Sequence, residues 1–132
     1  MNYLTVNWYI FAFWQNSKIL TGLLFILLAA CGSLFRWSLQ NSGKWKKTVG
    51  TLIANVFASF LLGILLADLH DGATITVIGT GFLGSFSTFS TVMMEVSDEL
   101  DHHRRIPAIL YLSASILGGV LAATAGLEIG GR

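Results

Sequence analysis

The stretch Ala73-Thr-Ile-Thr-Val-Ile-Gly-Thr-Gly-Phe-Leu-Gly-Ser-Phe-Ser-Thr-Phe-Ser-Thr-Val-Met-Met94 decides the reading of this chain. It lies between Asp71 and Glu95, carries no charge, and at 1.5 Å per helical residue is long enough to cross a hydrocarbon core about 30 Å thick. Three glycines, Gly79, Gly81 and Gly84, run into five hydroxyls within seven residues: Ser85, Ser87, Thr88, Ser90 and Thr91. A lipid-facing helix has no use for either set. Glycine costs about 1 kcal/mol against alanine in a helix, and hydroxyls compete for backbone hydrogen bonds. Close helix packing through small residues accounts for Gly79 and Gly81 but not for the hydroxyl cluster. The pattern predicts a helix broken near mid-membrane, around Gly84 to Thr88. Irregular backbone at that depth survives only when buried in protein or lining a polar cavity, and broken helices present carbonyls to cations and amides to anions.

Working outward, charged residues delimit three more apolar stretches: Ile19 to Phe35, extending through Trp37 if Arg36 is tolerated, Thr48 to Ala67, and Ile106 to Leu127. Only 11% of the 132 residues are charged, against about 25% in soluble domains. With 54% apolar residues and a mean hydropathy of +0.69, the composition predicts an all-α integral membrane protein of four transmembrane helices. Residues 19–128 form its single transmembrane domain, with no room for a catalytic one. The connections Gln40 to Lys47, Asp68 to Gly72 and Glu95 to Arg105 are short, so neighbouring helices run antiparallel. Pro107 suits the first turn of the last helix. Residues 1–18 are read separately. Six of the 16 aromatics, Tyr3, Trp8, Tyr9, Phe11, Phe13 and Trp14, crowd there, and Lys18 follows rather than precedes them. That is an interfacial segment or lead-in, not a secretory signal.

A net charge of +1 without a basic run argues against nucleic acid. His70, His102 and His103 fall in predicted loops without metal-site spacing, so no enzyme is expected. Cys31, inside an apolar run, reads as an inert buried thiol. Two polar residues within the spans demand partners. Arg36 lies near a span end, where it can snorkel. Asn55, eight residues into its span, reaches neither interface and must bond inside the bundle or face a pore.

Three motifs then agree: Gly32-x-x-x-Arg36-Trp37, Gly50-Thr-Leu-x-x-Asn55 leading to Gly63, and Gly81-Phe-Leu-Gly-Ser-Phe-Ser-Thr-Phe-Ser-Thr91. Together they resemble the Fluc (CrcB) fluoride channels over roughly residues 22 to 127. The resemblance implies an antiparallel dimer with two narrow anion pores and a central structural Na+ held by backbone carbonyls, here those of Gly84 and Ser87. It implies that Asn55 and Phe89 meet fluoride, with the hydroxyls of Ser90 and Thr91 beside them. Tyr111 and Ser115 match the family's polar track, and Arg36 its vestibule arginine. The implied function is passive fluoride export that protects a cell from fluoride toxicity, from a multi-pass position in the cell membrane among its lipids. Fluoride is small and strongly hydrated, so a selective pore must replace its water with closely spaced donors: an amide, hydroxyls and the positive edge of a phenyl ring.

Two positions depart from the family. Its usual Thr-Thr-Phe-Ser-Thr-Phe reads Ser87-Thr-Phe-Ser-Thr-Val92 here, which removes the second pore phenylalanine, and Gly119 stands where a hydroxyl is common. Val92 keeps open a non-conducting or half-conducting partner subunit. A small multidrug exporter would need a carboxylate within the first span, and none is there. Charge counting adds an orientation. Lys18 and Arg132 share one side, while Lys44, Lys46, Lys47, Arg104 and Arg105 share the other. Positive charges in short loops stay cytoplasmic, so both termini are expected outside. That bias favours pairing with an oppositely oriented paralogue over a homodimer.

Overall fold

The computed structural model describes residues 3–43, 46–68 and 72–132, with side chains described from Ser17 onward except Asp68. Among them the chain is all-helical: α1 (Tyr3–Gln40), α2 (Lys47–Asp68), α3 (residues 72–86), α4 (Phe89–Asp101) and α5 (Arg105–Gly130). Four stretches are long and apolar enough to cross a membrane: Ser17–Gln40, Lys47–Ala67, Gly72–Asp101 and Arg105–Gly130. The interfacial role expected of the aromatic side chains before Ser17 falls outside the described residues. The backbone there is helical from Tyr3 and continues into the first span.

Glycine sets the helix spacing. A Cβ on Gly63 would run into the Ala123 carbonyl, one on Gly126 into the Phe60 carbonyl, and one on Gly130 would come within 2.8 Å of the Ile64 carbonyl. The α2 and α5 backbones therefore touch, as membrane helices do where dispersion rather than hydrophobic burial drives association. Gly32 lets α1 reach the Phe82 carbonyl and the Phe86 amide of α3 in the same way. Gly81 meets Phe25, and Gly79 meets Leu62 and Leu65, the close packing their size suggested. Within α3, residues Ile75–Leu83 take the wider π-helical winding, and the Gly84 N–H donates to the Gly79 carbonyl five residues back.

The buried core is small. Ala54, Ala58, Leu65, Leu83 and Phe86 form one cluster, where Phe82 and Phe86 stack at 6.0 Å and Phe57 meets Phe86 edge-on at 6.5 Å. Val92, Val96 and Ala108 form a second between α4 and α5, against Tyr111 and Leu112. The outer faces of α1 and α5 expose Ile26, Leu27, Leu34, Ile106, Leu110 and Leu121, a surface suited to lipid or another protein.

Two expectations are corrected. Glu95 to Arg105 is not a connection: α4 runs to Asp101, and only residues 102–104 turn, with His103 in the left-handed region at φ 59°. Val92 and Val96, four residues apart, bury one helical face while Asp98 and Asp101 lie exposed, so the charges mark a solvated side rather than a helix end. Cys31 is exposed on α1, not buried.

Candidate functional site

The helices contribute polar residues in pairs four apart: Arg36 and Gln40 on α1, Thr51 and Asn55 on α2, Thr91 and Glu95 on α4, Tyr111 and Ser115 on α5. Four residues make roughly one turn, about 5.4 Å along a helix. The pairs thus supply two polar layers, one a turn deeper than the other.

The layer nearer the α1–α2 connection is a closed network. Gln40 Nε2 donates to Thr51 Oγ1 at 3.0 Å, Thr51 Oγ1 donates to Glu95 Oε1 at 2.9 Å, and the Tyr111 hydroxyl donates to Glu95 Oε2. Thr51 is fully buried. Its single hydroxyl proton has two acceptors in reach, the Lys47 carbonyl at 3.2 Å and Glu95 at 2.9 Å, and the nearer, charged carboxylate takes it. Each carboxylate oxygen of Glu95 thereby accepts from a hydroxyl, tying α4 to α2 and α5. An anion that takes the Tyr111 proton must displace Glu95 from it. Beyond this layer lies a cavity of about 480 Å³ lined by Lys46, Lys47, Thr48, Glu95, Asp98 and Arg104 among others.

The deeper layer surrounds two residues that leave helical geometry, Ser87 at φ −82°, ψ 158° and Thr88 at φ −158°, ψ 123°. A continuous helix would send the Thr88 N–H to the Gly84 carbonyl. Here it donates to Asn55 Oδ1 at 2.6 Å, and Asn55 Nδ2 donates back to the Thr88 carbonyl at 2.9 Å. The Thr91 N–H, which a helix would send to the Ser87 carbonyl, caps α4 by donating to Thr88 Oγ1 at 3.3 Å. The Ser87 carbonyl accepts instead from Arg36 Nη1 at 3.3 Å. Side chains thus take over the donors that Gly84 and Ser87 carbonyls have in a helix.

The site residues read from the sequence divide accordingly. Asn55, Ser87, Thr91 and Arg36 converge around Thr88, which was not among them. Ser90 Oγ lies 3.1 Å from Thr88 Oγ1 in an exposed position. Phe89 is 61% exposed. Ser115 is buried and donates to the Tyr111 carbonyl at 2.9 Å, its proton committed to its own helix. Val92 is wholly buried in the α4–α5 seam. Sequence reasoning overlooked Gln40, Thr51 and Glu95. The i, i+4 spacing of Thr51 with Asn55 and of Glu95 with Thr91 was the available signal, and the expectation of a loop at Glu95 obscured it.

The profile of the family described as CrcB-like protein, Camphor Resistance (CrcB), matches residues 23–127. The chain belongs to the CrcB family. Among similar proteins, the fluoride-specific ion channel FluC 1 of Geobacillus kaustophilus is 37% identical over 95 residues, 72% of this chain and 80% of its own length. FluC 2 of Bacillus cereus, also named a fluoride-specific ion channel, is 33% identical over 113 residues, 80% of this chain and 96% of its own. FluC 1 of Staphylococcus aureus is 38% identical over 110 residues, 77% and 89% respectively. As a CrcB protein with four membrane-spanning stretches, the chain is a multi-pass membrane protein from a family of channels and not an enzyme.

Proposed function

We propose that this chain forms a fluoride-selective channel that lets fluoride leave a cell down its gradient and so confers resistance to it. The reciprocal pairing of Asn55 with the Thr88 backbone carries the reading. It pins a non-helical step among hydroxyls, and an Asn head so held retains one N–H for an anion. Alongside it stand the names of the relatives. The ion would pass Asn55, the ring of Phe89 and the hydroxyls of Ser90 and Thr91, then Ser115 and Tyr111. The interruption at Ser87 and Thr88 lies at mid-membrane depth in this reading, where only a polar cavity or another subunit can cover it.

The Gly84 carbonyl would suit a hard cation such as Na+, because the Thr88 N–H that serves it in a helix is committed to Asn55, and the Ser87 carbonyl would join it through the lone pair that Arg36 leaves open. A Na+ there would supply positive charge beside an anion path and satisfy carbonyls from two antiparallel subunits. The chain's own part is to hold these peptides out of helical register. The charge bias carries the orientation, with both termini outside and an oppositely oriented paralogue preferred to an identical copy. A non-conducting partner subunit is the second reading, favoured by Val92.

The test is fluoride efflux from liposomes carrying this chain, against chloride. Fluoride release well above protein-free vesicles, with chloride retained, is expected, and equal release of both ions refutes selectivity. Labelling of a C-terminal cysteine in intact cells is expected from outside only. Labelling of half the molecules from each side refutes the fixed orientation.

A further inference from the structure

We propose that Arg36 is a positioning residue of the ion path, which together with Asn55 fixes the Ser87–Thr88 peptide and through it the direction of the Asn55 N–H left for the anion. This rests on the reading of Asn55 as a pore residue. The Ser87–Thr88 peptide unit is held at both ends from different helices. Its carbonyl oxygen accepts from Arg36 Nη1 of α1 at 3.3 Å, and its N–H donates to Asn55 Oδ1 of α2 at 2.6 Å. The next carbonyl, that of Thr88, accepts from Asn55 Nδ2 at 2.9 Å.

Three consequences follow from this geometry. Asn55 cannot flip its amide, because Oδ1 faces a donor and Nδ2 an acceptor. Its second N–H therefore has one direction, set by where Thr88 sits. Ser87 and Thr88 lie outside helical geometry, so no helical ladder fixes the torsion of their peptide plane. Without Arg36 the plane pivots about its bond to Asn55, and the direction of the remaining N–H moves with it. Arg36 is half-buried, and its i+4 neighbour Gln40 is held by Thr51, so the α1 face that carries both is registered against α2. A purely attractive charge at a pore mouth needs none of this, only an exposed cation.

The two roles separate by salt. A long-range charge acts over about 30 Å at 0.01 M ionic strength and only about 3 Å at 1 M. A positioning contact is blind to that change. Fluoride and chloride efflux is measured for the unaltered chain, R36M and R36K in liposomes at both ionic strengths, with hydrogen exchange at the Thr88 amide read in parallel. For R36M the expected result is a loss of fluoride flux of about tenfold, the scale of one hydrogen bond to a charged group, by the same factor at both salts. The chloride-to-fluoride ratio rises and Thr88 exchanges faster. A variant that merely lowers the number of folded channels leaves that ratio unmoved, which overturns the proposal. A loss present at low salt and absent at high salt, with Thr88 exchange unchanged, also overturns it.

Should R36M not fold, R36K decides. Its ammonium keeps the charge without the planar guanidinium head, so a smaller, salt-independent loss is expected, and flux equal to the unaltered chain refutes positioning. If the unaltered chain carries no fluoride, the channel reading falls by itself. Thr88 exchange in R36M then still decides whether Arg36 holds the peptide.

Discussion

Asn55→Asp is isosteric, and its consequences can be worked out atom by atom. Oδ1 keeps its place as acceptor for the Thr88 N–H, now 2.6 Å away. The second carboxylate oxygen takes the position of Nδ2, which sits 2.9 Å from the Thr88 carbonyl oxygen, so a hydrogen bond becomes two facing acceptors. Losing that bond and leaving the carbonyl unpaired costs about 1 to 3 kcal/mol of stability. A passing anion meets a separate penalty. At about 4 Å from the new charge and an effective dielectric near 20, repulsion is about 4 kcal/mol, or nearly three decades of flux at about 1.4 kcal/mol per decade. The assay is fluoride release into a fluoride electrode from loaded vesicles, with thermal unfolding in detergent to separate folding from conduction. The expected outcome is flux down by two to three decades, beyond what the stability loss explains. Flux within about threefold of the unaltered chain, a difference below 1 kcal/mol, would refute the placement of Asn55 beside the anion.

Ser87→Ala should leave flux and sodium dependence unchanged, since only the Ser87 carbonyl is engaged by Arg36. Ser87→Pro removes the N–H that donates to the Leu83 carbonyl at 2.9 Å and should abolish conduction, both read by vesicle efflux with and without Na+. Gly126→Ala drives a methyl into the Phe60 carbonyl and should lower stability by about 1 to 3 kcal/mol, seen as a reduced melting temperature in detergent. Val92→Phe overfills the α4–α5 seam at a fully buried position and should destabilise by a similar amount without raising flux. Increased fluoride flux in that variant would show that the seam opens to admit the ring.

How far the sequence could be read depended on which physical signal each residue left in it. The four spans were legible because length and apolarity alone define them, and a charge within hydrocarbon is costly enough to mark an end. The same rule misread Glu95. Its charge was taken as a boundary, whereas α4 continues past it to Asp101 and two hydroxyls hold its carboxylate. A count of charges along the chain cannot register donors brought in from α2 and α5. Cys31 was misplaced for a related reason: apolar neighbours in sequence imply burial in water-soluble proteins, but in a membrane they imply only contact with lipid.

The deeper layer was half legible. Asn55 demanded a bonding partner and the glycine-hydroxyl run demanded an explanation, yet nothing in either segment says that each answers the other. The pairing follows once the bundle is assembled. Asn55 shares the buried face of α2 with Thr51, Ala54 and Ala58, at spacings of four, one and three residues. That face packs where the backbone leaves the helix, and one amide side chain satisfies both the N–H and the C=O of Thr88. A buried Asn in a lipid-facing sequence and a helix that cannot continue are each unfavourable alone. Placed opposite one another they remove each other's cost, and the pairing leaves one amide hydrogen of Asn55 over.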